Sequence, residues 1–152
     1  MKVFRLCKAK YAHDLSGTGA EKSGGRWNSK GVAMIYTSES RALCTTEIAV
    51  HTPLGNLPDD YSLVTLEIPD PLILNINTAD LPFDWKTFPH SKSTQKIGDN
   101  LISKGKNLIF RVPSVVVLGE FNYLINPKHS DIKSVKILKV EPFTFDERLF
   151  KK

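Results

Sequence analysis

The sequence predicts a mixed α+β fold whose sheet is mainly antiparallel. About six segments have the β-branched and aromatic residues of strands, whereas two have the periodicity and flanking residues of helices. Alternating strand–helix–strand units, which build parallel sheets, would need about as many helices as strands. The 152 residues contain no internal repeat, low-complexity segment or linker, which indicates one domain.

The N-terminal part begins with a strand at residues 3–6, which contains Arg5. An arginine among apolar neighbours either keeps its head in water at a sheet edge or binds an anion. A loop from Gly17 to Gly31 follows, and glycine lets backbone approach a ligand closely. The five glycines of this loop are Gly17, Gly19, Gly24, Gly25 and Gly31. Residues 32–36 are predicted to form the next strand.

A helix from about residue 39 to His51 carries Glu47, and Ser38 or Ser40 is expected to cap it. Glu47 lies on the margin of the predicted apolar stripe. That stripe consists of Ala42, Leu43, Thr46, Ala49 and Val50. A half-buried carboxylate costs free energy unless it is paired, and Arg26 is an available partner. Spacing alone leaves open a structural ion pair, a surface glutamate and a functional acid.

The rest of the chain adds strands around one further helix. Strands are predicted at 61–68, 72–76, 108–118 and 135–140. Ser93 is expected to cap a helix that ends at Ser103 before Gly105. The irregular segment 79–90 contains Phe83, Trp85 and Phe88, which are expected to pin it to the core, with a ligand wall as the alternative.

Pro113 interrupts the strongest strand pattern and must therefore lie at an edge or a bulge. Ser114 follows it directly. Bulges re-aim side chains near functional sites, but a serine after proline is also typical of an ordinary turn. Residue pattern alone does not decide between these two interpretations.

Composition and charge narrow the classes of function. The net charge of +5 suits nucleic acid, but the lysines and arginines are spread along the chain without a basic helix, so no direct nucleic-acid partner is expected. Cys7 and Cys44 form no disulfide framework, and with four scattered histidines they form no metal-ligand spacing. This favours a reducing cytoplasm and no metal. No run approaches the roughly 20 apolar residues of a membrane span.

Several short motifs, taken in order, resemble the RES domain family. They are GGRWNSKG (24–31) with Tyr36, Glu47 and His51, then LPxxW (81–85), IGD (97–99), VPS (112–114), NYLINPKH (122–129) and FDERLF (145–150). They cover nearly the whole chain, so residues 1–152 are expected to be a single RES domain. By position, the resemblance makes Arg26, Tyr36, Glu47 and Ser114 the catalytic set, and Arg5 matches a recurrent N-terminal arginine.

The resemblance implies an ADP-ribosyltransferase-like fold of the diphtheria-toxin type, with a split, mainly antiparallel sheet, few helices and a cleft for NAD. It implies the toxin of a type II toxin–antitoxin pair, which degrades NAD by hydrolysis or phosphorolysis. The implied partners are an Xre-type helix-turn-helix antitoxin and a second copy of the chain in a homodimer. NAD is then the substrate rather than a prosthetic group, and water, inorganic phosphate or a protein side chain is the acceptor of ADP-ribose.

The implied chemistry gives each site residue a role. Glu47 stabilises the oxocarbenium-like state of the ribose, Arg26 holds phosphate oxygens and Tyr36 flanks the nicotinamide ring. Ser114 either bonds the ligand or holds Glu47. The residues expected around NAD are Arg5, Gly17, Gly19, Gly24, Gly25, Arg26, Trp27, Asn28 and Tyr36, with backbone N–H groups of the glycines meeting the pyrophosphate.

Two other classes of function stay open on the sequence. One is a mono-ADP-ribosyltransferase that modifies a protein target. The other is a non-catalytic module that binds its antitoxin or a nucleic acid. Against a nucleic-acid reader, no segment has the pattern of a recognition helix or an RNP-like aromatic motif.

Overall fold

A computed structural model describes all residues from Met1 to Lys152, and it contains three α-helices and a seven-stranded sheet. The helices are α1 (Thr18–Ser23), α2 (Arg41–His51) and α3 (Lys92–Lys104). The strands are β1 (Lys2–Lys8), β2 (Ile35–Ser38), β3 (Tyr61–Glu67), β4 (Ile73–Asn75), β5 (Ile109–Pro113), β6 (Phe121–Ile125) and β7 (Lys136–Phe143). No helix is both long and apolar enough to cross a membrane.

The sheet has the strand order β4-β5-β6-β2-β1-β3-β7, and every neighbouring pair except β4–β5 is antiparallel. The mixed α+β class and the mainly antiparallel sheet are therefore confirmed. Strand β1 pairs with β3 along its whole length but with β2 only through Phe4 and Ser38. The sheet thus consists of two halves that diverge between β1 and β2.

Apolar side chains alternate along the strands and form a core on each face. One face of both halves packs into a single cluster that includes Val3, Val64, Leu66, Ile109 and Ile125. On the other face the two halves pack separately. Leu6, Cys44 and Leu63 form a cluster under α2, and Trp27, Met34, Phe110 and Leu124 form one that α3 covers. The space between these two clusters lies above the divergence of the sheet.

Helix α2 begins after Ser40, whose Oγ accepts a hydrogen bond from the Leu43 N–H at 3.0 Å, so Ser40 is the cap. The predicted apolar stripe is wrong at its edges, because Ala42 and Val50 are exposed. The helix is rotated so that Leu43, Cys44 and the side of Glu47 face inward. Packing on Leu6 and Leu63 decides this rotation, and the helical period alone does not specify it.

Several other boundaries differ from the sequence predictions. Helix α1 lies inside the predicted glycine-rich loop, and β2 starts three residues later than expected. Ser91 rather than Ser93 precedes α3, while Ser93 lies in its first turn and donates its hydroxyl to Asp84. Strand β5 ends at Pro113, since proline cannot continue the ladder, and a turn replaces the predicted strand through residue 118.

The irregular segment 79–90 is held less firmly than the sequence predicts. Trp85 is buried, but Phe83 is fully exposed and Phe88 is 80% exposed. The expectation that all three aromatic residues pin this segment to the core is therefore wrong for two of them.

Candidate active site

A cleft of about 920 Å³ opens where the two halves of the sheet diverge. Its walls come from Leu6 of β1, the inner side of α2, and residues 19–27, which include the end of α1. A cleft of this size is within the range that holds large organic ligands. Among its lining side chains, Glu47 is the acid and Arg26 is the permanent cation, and His51 and His90 lie at the wall as well.

Glu47 projects from α2 into this cleft with its side chain 23% exposed. Its Oε1 accepts hydrogen bonds from Asn122 Nδ2 at 2.8 Å and from Ser114 Oγ at 3.2 Å. Its Oε2 lies 4.0 Å from His51 Nε2, one helical turn further along. No ion pair joins Glu47 to Arg26, so the structural ion pair considered from the sequence is absent. The carboxylate is held by neutral donors and keeps one oxygen towards the cleft.

Arg26 lies on the opposite wall, on the loop after α1. Its Nη1 donates to the carbonyl oxygens of Trp85 at 2.8 Å and Thr87 at 3.0 Å, which leaves Nε and Nη2 without a protein acceptor. Burial lowers the pKa of the Arg26 guanidinium, and the charge of Glu47 opposes that shift. The group stays charged at neutral pH because the pKa of an arginine side chain lies far above 7.

Tyr36 connects the sheet to the loop above it. Its hydroxyl donates to Asn28 Oδ1 at 2.6 Å and accepts from the Trp27 N–H at 3.1 Å. Burial raises the pKa of this hydroxyl above its usual value, so it remains a donor. The hydroxyl of Tyr36 is therefore engaged within the protein, and it is the ring that lines the cleft.

Gly24 and Gly25 act through the path and packing of the loop rather than through free N–H groups. The N–H groups of Gly24 and Gly25 donate to the carbonyl oxygens of Ala20 and Asn28, so they do not face a ligand as predicted from the sequence. A Cβ at Gly25 would lie 2.7 Å from the Tyr36 hydroxyl oxygen. Glycine at this position lets the loop lie directly on Tyr36.

Four of the expected site residues do not line the cleft, namely Arg5, Gly17, Asn28 and Ser114. Arg5 is on the other face of β1 from Leu6, and its Nη1 donates to the Asp14 carbonyl oxygen at 2.6 Å. Gly17 packs against the backbone of Met34. Ser114 is buried, donates to Glu47 and accepts from the N–H groups of Val116 and Val117, so it holds Glu47 rather than a ligand.

Asn28 is fully buried, and its side chain holds the loop together through hydrogen bonds. Its Nδ2 donates to the carbonyl oxygens of Ala20 at 2.8 Å and Val32 at 2.9 Å, while its Oδ1 accepts from Tyr36. All of its polar atoms are therefore used inside the protein. Of the expected residues, the structure brings Arg26, Tyr36, Glu47, Trp27, Gly19, Gly24 and Gly25 together around one cleft.

Helix α3 supports the loop at residues 25–29, which borders the cleft. This contact was not predicted from the sequence. Asp99 accepts from the backbone and the hydroxyl of Ser29, and Gln95 donates to the Gly25 carbonyl oxygen at 3.0 Å. Gly98 faces the carbonyl of Trp27 so closely that a Cβ would overlap it. In the sequence, the only sign of this contact is the i, i+4 spacing of Gln95 and Asp99, which places both polar side chains on the helix face near Gly98.

Three further residues line the cleft that were outside the expected catalytic and binding sets, although His51 belongs to a family motif and Phe88 was a candidate for a ligand wall. His51 is one turn after Glu47, a spacing visible in the sequence. His90 and Phe88 reach the cleft only through the path of the irregular segment, for which no local pattern exists. Burial, and then the charge of Arg26, lower the pKa of His90.

The fold and the site together define a class. The class is a small α+β protein with a cleft where its sheet diverges. The cleft is lined by a carboxylate held by hydrogen bonds and by a partly desolvated arginine. A family model described as the RES domain matches residues 2–146. The chain therefore belongs to the RES domain family.

Curated relatives match along most of the chain. A protein of Sphingobium sp. (strain YBL2) named Prs ADP-ribosylating toxin is 40% identical over 144 residues, which is 93% of this chain and 89% of that protein. A protein of Yersinia enterocolitica named Toxin Res is 35% identical over 98% of this chain and 99% of its own length. A Toxin Res of Photorhabdus laumondii is 33% identical over 99% of this chain and 98% of its own length.

A solved structure shares the fold. The crystal structure of the M. tuberculosis MbcT–MbcA toxin–antitoxin complex contains a chain that matches with a TM-score of 0.75 and 21% sequence identity. The match covers 98% of this chain and 86% of that one. At this identity the likeness shows a common fold.

Proposed function

We propose that this chain is the toxin of a toxin–antitoxin pair, and that it cleaves the nicotinamide–ribose bond of NAD. The observation that carries the proposal is the carboxylate of Glu47, fixed by two donors on one oxygen and directed by the other into a cleft that also contains Arg26. The names of the curated relatives support the toxin role. The divergence of the sheet between β1 and β2 supports an ADP-ribosyltransferase-like arrangement.

In the proposed reaction the bond between the ribose anomeric carbon and the nicotinamide nitrogen breaks, and its electron pair goes to the nitrogen. Nicotinamide leaves as a neutral molecule because it is bound as a cation. The sugar passes through an oxocarbenium-like state, which a nearby carboxylate stabilises. Glu47 Oε2 supplies this negative charge and accepts a hydrogen bond from a ribose hydroxyl. An acceptor oxygen then bonds to the anomeric carbon and releases a proton.

Arg26 holds the pyrophosphate in this proposal. Its Nη1 is fixed to the loop carbonyls, so Nε and Nη2 are directed without loss of side-chain freedom on binding. The ring of Tyr36 flanks the nicotinamide, because its hydroxyl is engaged and only its face is free. Trp27, Gly19, Gly24 and Gly25 complete the wall against the dinucleotide.

Transfer of ADP-ribose to a protein side chain is a second candidate, favoured by the Sphingobium relative whose name includes ADP-ribosylating. The bond that breaks is the same, and only the acceptor differs. Water would make the protein a glycohydrolase, and inorganic phosphate would make it a phosphorylase.

The proposal extends to the setting in which the protein acts. An antitoxin of the Xre type is proposed as its partner, and a homodimer as its form in that complex. The likeness to one chain of a toxin–antitoxin complex supports the existence of an antitoxin partner. The proposed place of action is the cytoplasm, where NAD is abundant and the two free thiols stay reduced.

Product analysis tests the proposal. Purified protein is incubated with NAD in buffers with and without phosphate, and the products are identified by mass spectrometry. Nicotinamide with free ADP-ribose is the result for a glycohydrolase, and a phosphorylated ADP-ribose that forms only with phosphate is the result for a phosphorylase. If NAD persists, the assay is repeated with cell lysate and labelled NAD, and absence of labelled protein there contradicts the proposal.

A further inference from the structure

Glu47 is held through one oxygen by a residue of β6 and a residue that directly follows β5. Asn122, on β6, donates from Nδ2 to Glu47 Oε1 at 2.8 Å, and Ser114, after β5, donates to the same oxygen at 3.2 Å. Asn122 also lines the cleft, whereas Ser114 does not. The shorter of the two hydrogen bonds therefore comes from Asn122, which belongs to a family motif but had no expected role in the site.

The amide of Asn122 is itself oriented by a neighbour. Ser38 is the cross-strand partner of Asn122 in the β2–β6 ladder, and its Oγ donates to Asn122 Oδ1 at 2.7 Å. Because a hydroxyl donates to the carbonyl end of an amide, this bond turns the NH₂ end towards Glu47. Ser38 is also the residue through which β2 pairs with β1, at the divergence of the sheet.

We propose that Asn122, oriented by Ser38, is a positioning residue that fixes the carboxylate of Glu47 so that Oε2 faces the ligand. This inference rests on the proposed function, because it assigns the second oxygen to the ribose. The chain of hydrogen bonds from Ser38 through Asn122 to Glu47 links the divergence of the sheet to the reacting group. A carboxylate that is free to rotate would lose this geometry, and misplacement by about 1 Å costs roughly 100-fold in rate.

Other charged or titratable groups near Glu47 do not replace this support. His51 lies 4.0 Å from Oε2, on the same helix. Arg26 lines the same cleft and Cys44 lies on the same helix, but neither forms a hydrogen bond to Glu47. None of these three groups donates to Oε1.

The first test replaces Asn122 by Asp, which keeps the shape but replaces the donor by an acceptor. We expect kcat to fall about 100-fold while KM for NAD changes less than about threefold. Asn122→Ala removes the donor without adding charge and should give a smaller loss of kcat. Asn100→Asp, the same change at an exposed position of α3, is the matched control and should leave both constants unchanged.

The second test asks whether Ser38 acts on Glu47 through Asn122 or only stabilises the fold. Ser38→Ala should lower kcat several-fold in the wild-type background and have little further effect in Asn122→Ala, because Ser38 acts through Asn122. Equal losses in both backgrounds would overturn the proposed relay.

A third readout is independent of catalysis. The carboxyl carbon of Glu47 is followed by NMR in protein with ¹³C-labelled glutamate, with E47Q to assign the signal. In Asn122→Asp the midpoint of the Glu47 titration should move up by about one pH unit or more, since a second carboxylate disfavours the charged form. Ser38→Ala should move it in the same direction by less.

An unchanged midpoint in both folded variants would overturn the positioning role, whether or not the protein consumes NAD. Shifted midpoints in the variants, together with a wild-type protein that never consumes NAD, would instead count against the proposed function alone. If Asn122→Asp does not fold, Ser38→Ala carries the titration test, because it removes one hydroxyl and adds no buried charge.

Discussion

The nitrogens of the Arg26 guanidinium have different partners. Nη1 donates to two protein carbonyls, whereas Nε and Nη2 have no protein acceptor and are available to a ligand in the cleft. The two carbonyl acceptors on Nη1 belong to the irregular segment 79–90, so the same side chain also ties this segment to the loop after α1. Lysine offers a single nitrogen and no planar fork, and it cannot satisfy both carbonyls and a phosphate in this geometry.

Arg26→Lys should therefore raise KM for NAD by about tenfold or more, with a smaller effect on kcat. Steady-state kinetics of NAD loss measure both constants. The matched control is Arg148→Lys, the same change at an exposed residue that pairs with Asp146. A KM equal to that of the wild type would remove Arg26 from the phosphate-binding role.

The two cysteines differ in a way that thiol chemistry can measure. Cys44 lies on the inner face of α2, where burial raises the pKa of its thiol to about 12, whereas Cys7 is half-buried. The thiolate is the reactive form.

At pH 8 we expect Ellman's reagent to modify Cys7 first and Cys44 only slowly in the native protein, and both rapidly in guanidinium chloride. Cys7→Ser should abolish the faster phase. Modification of Cys44 at the rate of a free thiol would show that the interior under α2 opens readily.

At the scale of elements, α3 determines the shape of the cleft although none of its residues lines it. Gly98 allows the helix to lie directly on the backbone of Trp27, and Asp99 and Gln95 fix the loop on either side of this contact. Tertiary contacts at this helix therefore set the position of Arg26, which lies next to Trp27 in the chain.

Gly98→Ala should destabilise the fold by about 1–3 kcal/mol, or more if the helix cannot shift, because the added methyl group overlaps the Trp27 carbonyl. Urea denaturation measures the free energy of unfolding. Gly19→Ala is the control within α1, where an added Cβ meets no atom within 4 Å. A stable Gly98→Ala protein would show that α3 is not packed as described.

The elements with clear local signals were predictable. The cap of α2 at Ser40, the end of α3 at Gly105 and the strand at 61–68 follow from residue types that act locally. Helix α1 was missed because it has only six residues and because Gly19 and Ser23 within it lower its helix propensity. The strand was predicted to extend beyond its observed end at Pro113 because the apolar residues continue into the turn that follows.

At the scale of the whole molecule, the cleft exists because the two halves of the sheet separate between β1 and β2. The motifs identified Glu47, Arg26 and Tyr36 as neighbours, and the structure brings all three to the cleft. The place of Arg5 was not predictable, since the face of a strand to which a residue points depends on register. Asn122 was missed because its role requires β6 to lie beside β2.

NAD turnover by E47Q tests the central claim most directly, because glutamine keeps the shape of Glu47 and removes its charge. The wild type and E47Q are incubated with NAD, nicotinamide release is followed, and NAD binding is measured by calorimetry. We predict that the wild type releases nicotinamide, while E47Q binds NAD and loses at least about 100-fold in kcat. Turnover by E47Q at the wild-type rate would contradict the role of the carboxylate and the account of the site built on it.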